Sequence, residues 1–212
     1  MSGFTITVAQ QKGGSGKTTL AVNLAVEFSR RGHSVAVLDT DPQGSLGRWF
    51  MTRRAAMNGE AGLDFATASA WGVSYELEKL LKHNEIVIVD TPPKVDSDLR
   101  PALRASDLVV VPVAVSQVDV WATESVLEMA QRERRKTLLV LNRAAPRARL
   151  TADIAGRIRE LESPAAETVL NSRVIYAEVL GEGQGVVEKA ARGPAAVEIR
   201  KLCNEIADIL NS

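Results

Sequence analysis

The sequence predicts an α/β fold built on a mostly parallel, doubly wound sheet with helices on both faces. Three observations carry that expectation. Short apolar, β-branched runs at residues 4–9, 35–38, 86–89, 107–113 and 137–141 alternate with stretches whose apolar residues recur at helical spacing. The first run opens directly into a glycine-rich segment, residues 10–19 (QQKGGSGKTT), and then into a helix, the order that a phosphate-binding loop requires. Two later runs end in carboxylates, Asp39 with Asp41 and then Asp90, at the strand ends where parallel α/β sheets bind ligands. With 212 residues the chain fits one domain, residues 1–212, able to bury roughly 70% of its unfolded surface.

In the glycine-rich loop, Gly13, Gly14 and Gly16 let the backbone turn its N–H groups inward around an anion, where a Cβ would obstruct. The helix beginning near Lys17 adds its N-terminal dipole. Lys17 is placed to neutralise β/γ-phosphate charge and the Thr18 hydroxyl to hold Mg²⁺. Ser15 and Thr19 complete the candidate phosphate cradle. The general pattern G-x-x-x-x-G-K-[ST] asks for glycine where Gln11 stands, and a second lysine, Lys12, begins the loop instead.

Arg31, Gly32 and His33 read as a helix stop, with His33 a surface loop residue. The second strand ends in DTDPQ, residues 39–43. Asp41 with Pro42 also suits the start of a helix over residues 43–57, in which Leu46, Trp49 and Phe50 share a core-facing side. Residues 58–62 form a loop, 63–68 an edge strand and 73–83 a short helix. Residues 85–93 (EIVIVDTPP) are an apolar strand ending in Asp90, placed to reach Mg²⁺, and halted by two prolines. A helix closes at residues 99–105, a buried strand follows, and a long helix opens near Ser116, with Trp121 read as interface or core. Residues 132–159 hold nine basic side chains against Glu133 and Asp153. In the terminal helix from Pro194, Val197, Leu202, Ile206 and Ile209 form the apolar stripe.

Hydrophobic content of 45% and charged content of 25% are ordinary for a water-soluble globular chain. Zero formal net charge provides no global field for nucleic acid, so such affinity must be local. The single Cys203 excludes an internal disulfide or a cysteine metal cage and suits a reducing cytoplasm. Neither a signal peptide nor an apolar run approaching 18 residues is evident, so a cytoplasmic protein without membrane insertion is expected.

Residues 12–18, 39–43 and 90–93, in that order and at compatible spacing, resemble the ParA/MinD superfamily of deviant Walker A ATPases, members of the P-loop NTPase fold. The likeness is to the small ParA-type proteins without an N-terminal helix-turn-helix. It implies ATP and Mg²⁺ as cofactors, with Lys12 crossing a dimer interface to the partner's nucleotide. It further implies Asp39 supporting the Mg²⁺ shell, Asp41 orienting the attacking water, and the Thr-Pro-Pro after Asp90 sensing the γ-phosphate. Asn142 and Arg143 stand where the family's adenine pocket begins, and Asn142 could read the base edge. The absence of an Asn-Lys-x-Asp sequence favours ATP over GTP. The implied function is partition or positioning of a plasmid or other cargo. An ATP-bound homodimer would bind DNA nonspecifically on the nucleoid, and a ParB-like or cargo-adaptor partner would stimulate hydrolysis. Resemblance favours C-terminal basic residues as the DNA contacts (Arg173, Lys189, Arg192, Arg200, Lys201), while charge count favours residues 132–159. The rivals are a MinD-like membrane-cycling ATPase, which needs a basic amphipathic tail, a metabolic ligase of the superfamily, and a scaffold that binds nucleotide without turnover.

Overall fold

The computed structural model describes residues 3–93 and 99–212. Its strands are β1 (Phe4–Val8), β2 (Val35–Asp39), β3 (Asp64–Thr67), β4 (Ile86–Asp90), β5 (Leu108–Ala114) and β6 (Lys136–Asn142). They form one sheet in the order β3-β2-β4-β1-β5-β6, and every neighbouring pair is parallel. The expected mostly parallel sheet is thus parallel throughout its described strands. Parallel strands need crossovers, which carry α1 (Lys17–Arg30), α2 (Ser45–Ala56), α3 (Val73–Leu80), α4 (Leu99–Arg104) and α5 (Gln117–Arg132), while α6 (Arg149–Glu160), α7 (Ile175–Glu182), α8 (Val186–Lys189) and α9 (Pro194–Asn211) follow the last strand.

The period-two geometry of a strand divides the core between the two faces of the sheet. Ile86 and Ile88 of β4 join the layer built with α1, α2 and α7–α9, whereas Val87 and Val89 join the opposite layer with α3 and α4. Under β5 that opposite layer continues into α5 and α6 through Val109, Val111 and Val113. Strands buried on both faces read as continuous apolar runs, which is why the sequence displays them so clearly. The register sets Val8 beside Asp90 and Asp39 beside Asp90, bringing the phosphate loop and both carboxylate-tipped strands to one edge.

Several boundaries differ from the sequence reading. Helix α2 starts at Ser45, behind Gly44 at φ 65°, so Asp41 and Pro42 lie in a turn before the helix rather than at its cap. Helix α3 ends at Leu80, and a 3-10 turn (Ala70–Gly72) precedes it. Leu46 and Trp49 are core residues as expected, while Phe50 is half-buried and stacked on Phe65 at 4.7 Å between ring centroids. The buried stripe of α9 runs through Ile199, Leu202, Cys203 and Ile206, and Val197 lies outside it. Trp121 is exposed, not in the core.

Candidate nucleotide site

After β1 the chain turns through the glycine-rich loop into α1. Gly14 and Gly16 adopt φ 79° and 93°, a region that side chains with L chirality rarely enter. Gly16 is doubly constrained, because a Cβ there would stand 2.6 Å from Asn142 Nδ2. Lys17 opens α1 and is buried. Burial lowers the pKa of its ammonium, opposed by the charges of Asp90 and Asp41.

Thr18 Oγ1 donates to Asp90 Oδ2 at 2.6 Å. Asp90 is 1% exposed and its Oδ1 is buried with no hydrogen-bond partner. Burial pushes its carboxyl up to about 7, the Thr18 hydrogen bond and Lys17 hold it down, and the neighbouring Asp39 charge adds to the rise. A hydroxyl beside an orphaned carboxylate oxygen is a hard-donor set that fits Mg²⁺, so Thr18 and Asp90 are the residues that would hold the ion. Asp39 stands behind them. Its Oδ1 accepts the Asp41 N–H at 3.0 Å and its Oδ2 the Gly47 N–H at 2.9 Å, so both oxygens fasten the turn that carries Asp41. Burial raises its pKa too. Asp41 Oδ1 accepts the Gln43 N–H at 2.9 Å, and the residue lines an open cavity of about 600 Å³ together with Gly13, Lys17 and Thr18.

A second cavity, about 290 Å³, adjoins the first, and Arg143 and Gly16 line both. Asn142 stands between loop and cavity. Its Nδ2 donates to the Ser15 carbonyl at 2.8 Å, and its Oδ1 accepts the N–H of Arg143, which is held at φ 55°. The side chain expected to read a base thus braces the Ser15–Gly16 peptide. Lys12 points away from its own loop: Nζ lies 2.6 Å from Asp119 Oδ2 and 3.4 Å from Ser116 Oγ, at the start of α5. Buried Gln10 secures that end of α5, its Nε2 donating to Thr123 Oγ1 at 2.9 Å and the Pro112 carbonyl at 3.3 Å.

A family model described as the CobQ/CobB/MinD/ParA nucleotide binding domain matches residues 6–193. The chain belongs to this family. The protein is a nucleotide-binding ATPase of the ParA/MinD type. A maintenance of carboxysome distribution protein A from Halothiobacillus neapolitanus is 32% identical over 210 residues, spanning 96% of each chain. The chromosome-partitioning ATPase Soj from Thermus thermophilus is 27% identical over 237 residues, spanning 95% of this chain and 94% of that one. Among solved structures, a putative plasmid partition protein from Borrelia burgdorferi bound to AMPPNP has a TM-score of 0.79 at 17% identity, covering 97% of this chain and 99% of that one. The septum site-determining protein MinD from Pyrococcus horikoshii, complexed with Mg-ADP, also has a TM-score of 0.79 at 17% identity, covering 96% and 95%. These structures share the fold, and the two crystallised with nucleotide belong to it.

Other residues that shape this ParA/MinD-type site were not singled out in the sequence. Asn23, fully buried in α1, accepts the Val186 N–H through Oδ1 at 2.8 Å and ties the start of α8 to α1. Arg53 in α2 is 4% exposed and bidentate to Glu188, both contacts at 2.9 Å, while its Nε donates to the Ala61 carbonyl at 2.7 Å. An asparagine in an otherwise apolar helix face was the one local signal. Arg53 gave none, since arginine in a helix is ordinarily a solvated residue.

Proposed function

We propose that this ParA-like ATPase positions a cargo by a nucleotide-switched dimer: ATP binding closes two chains face to face, and Lys12 of each reaches the other's nucleotide. The observation that carries this reading is the placement of Lys12. It begins the phosphate loop yet lies outside its own cradle, 38% exposed and held by Asp119. ATP with Mg²⁺ supplies the scissile phosphoanhydride and the charge neutralisation that lets water approach it. Lys17 holds phosphate charge, Thr18 and Asp90 hold the ion, and Asp41, braced by Asp39, orients the water. DNA binding in the ATP-bound dimer and stimulation by a cargo-bound adaptor belong to the same reading, and the names of the carboxysome-distribution and partition relatives support it.

Charge placement favours the β6–α6 region as the DNA-facing surface. Of the five C-terminal candidates, Arg173 pairs with Glu198 at 2.7 Å, Lys189 with Glu178 at 3.3 Å and Arg200 with Glu27 at 3.8 Å, which leaves Arg192 and Lys201 exposed without an ion pair among the described residues. Arg143, Arg147, Arg157 and Arg159 are exposed and have no ion pair among the described residues. A mobility shift on unrelated duplexes with ATP, ADP or no nucleotide, at two salt concentrations, tests the switch. Binding confined to ATP, falling steeply with salt and weakened in Arg147→Glu/Arg157→Glu, is expected. Equal binding in all three nucleotide states contradicts it.

A further inference from the structure

The smaller cavity has a polar wall whose donor and acceptor directions are set by one carboxylate. Glu198 of α9, with its side chain 14% exposed, accepts from Asn171 Nδ2 at 2.7 Å, from the Asn171 backbone N–H at 3.2 Å and from Arg173 at 2.7 Å. A carboxylate only accepts hydrogen bonds, so turning the Asn171 amide round would set its carbonyl oxygen against a carboxylate oxygen. The amide is therefore fixed in one sense. One N–H of its amide is committed to Glu198, and Oδ1, which accepts no hydrogen bond among the described residues, is the acceptor left for a ligand in the cavity that Asn171 lines. Asn142 is already engaged, with Nδ2 on the Ser15 carbonyl and Oδ1 on the Arg143 N–H. Leu20, Leu170 and Ile199 give the same cavity apolar walls suited to the flat face of a base.

We propose that Asn171, locked by Glu198, is the base-selecting residue of this site: its Oδ1 accepts a hydrogen bond from the exocyclic 6-amino group of adenine. The proposal rests on the nucleotide-site reading above. Adenine carries a donor at that position, and guanine and hypoxanthine carry an oxygen, which a fixed acceptor meets unfavourably. A site built to pair one polar group rejects an analogue that leaves its own group unpaired. Glu198 acts through Asn171 and is a positioning residue.

The test compares ATP, purine riboside triphosphate (which lacks the 6-amino group) and ITP, each displacing a fluorescent nucleotide. Wild type should bind ATP about three- to tenfold tighter than purine riboside triphosphate, the range of one neutral hydrogen bond, and ITP more weakly still. Asn171→Ala should bind ATP and purine riboside triphosphate alike. Glu198→Gln, whose side-chain amide can face either sense of Asn171, should bring ITP closer to ATP. Each readout is a ratio between two nucleotides on one protein, so partial loss of folded material cancels. An Asn171→Ala protein that keeps the wild-type ratio overturns the selector while leaving the nucleotide site intact. Failure of wild type to bind any of the three overturns the site reading and this inference with it.

Discussion

Lys12 Nζ and Asp119 Oδ2 lie 2.6 Å apart, joining the first residue of the phosphate loop motif to the first turn of α5. The two ends differ in environment, the lysine side chain being 38% exposed and the aspartate 1%. Asp119 Oδ1 has no partner, so Asp119 depends on Lys12 and on Ser116, whose hydroxyl donates to it. If Lys12 leaves to reach a second chain, a buried carboxylate loses its cation, at a cost on the order of 1–3 kcal/mol or more. Asp119→Asn removes the charge and with it much of that cost. Two chains are relieved per dimer, so the ATP-dependent dimer should then form at a protein concentration lower by at least about tenfold, read by sedimentation velocity. An unchanged midpoint would show that the pair does not oppose dimerisation.

Asp41 faces the larger cavity and its turn is fastened by both oxygens of Asp39. Asp41→Ala should keep ATP binding and lose turnover, so that the ATP-bound species accumulates. Unstimulated wild-type turnover should itself fall well below the roughly 1–100 s⁻¹ of kinases. Single-turnover phosphate release decides it, and wild-type hydrolysis by Asp41→Ala would remove the water-orienting role.

Asp90 links ion binding to stability. Its carboxyl is raised from 3.8 to about 7, first by burial. Between those values the folded protein keeps a proton that the unfolded chain releases. The stability this contributes is complete below 3.8 and is lost as pH rises through about 7. Nucleotide-free wild type should therefore melt at a lower temperature at pH 8 than at pH 6. Asp90→Asn should flatten that slope, leaving only the residue due to Asp39, which is raised in the same direction. Each kcal/mol corresponds to about 2–4 °C for a chain of this size. The same variant should lose Mg²⁺-dependent nucleotide affinity. A pH slope identical to wild type would contradict the assignment.

Asn142 braces the Ser15 carbonyl, so its loss should loosen the phosphate loop rather than alter base choice. Asn142→Ala should weaken ATP and inorganic tripolyphosphate by similar factors, on the order of tenfold, as expected for a lost hydrogen bond plus a loosened loop. Competition binding separates the cases. A variant that loses only ATP affinity, with tripolyphosphate unaffected, would return Asn142 to the base.

The residues legible in the sequence are those whose local order dictates their placement. Gly14 and Gly16 fall in the loop between an apolar run and a helix, and Asp39 and Asp90 end runs that can only be buried parallel strands. The pairings between distant segments were not legible, because packing sets them. Glu198 meets Asn171 only because α9 docks along α1; of the stripe expected on α9, Leu202 and Ile206 are buried and Ile209 packs against the core, and Val197 alone lies outside it. Gly183 reads as an ordinary loop glycine, yet a Cβ there would come within 2.3 Å of the Arg53 backbone nitrogen. Its φ of 69° at the end of α7 and the closeness of α2 both require it to be glycine.

On the proposed reading, Lys12 serves the partner chain's nucleotide and Lys17 its own. Multi-angle light scattering with ATP on wild type, Lys12→Ala and Lys17→Ala, alongside nucleotide binding, tests it most directly. Wild type should double in mass with ATP. Lys12→Ala should bind ATP and remain a monomer, and Lys17→Ala should bind none. A Lys12→Ala protein that dimerises with ATP and hydrolyses it at the wild-type rate would contradict the account.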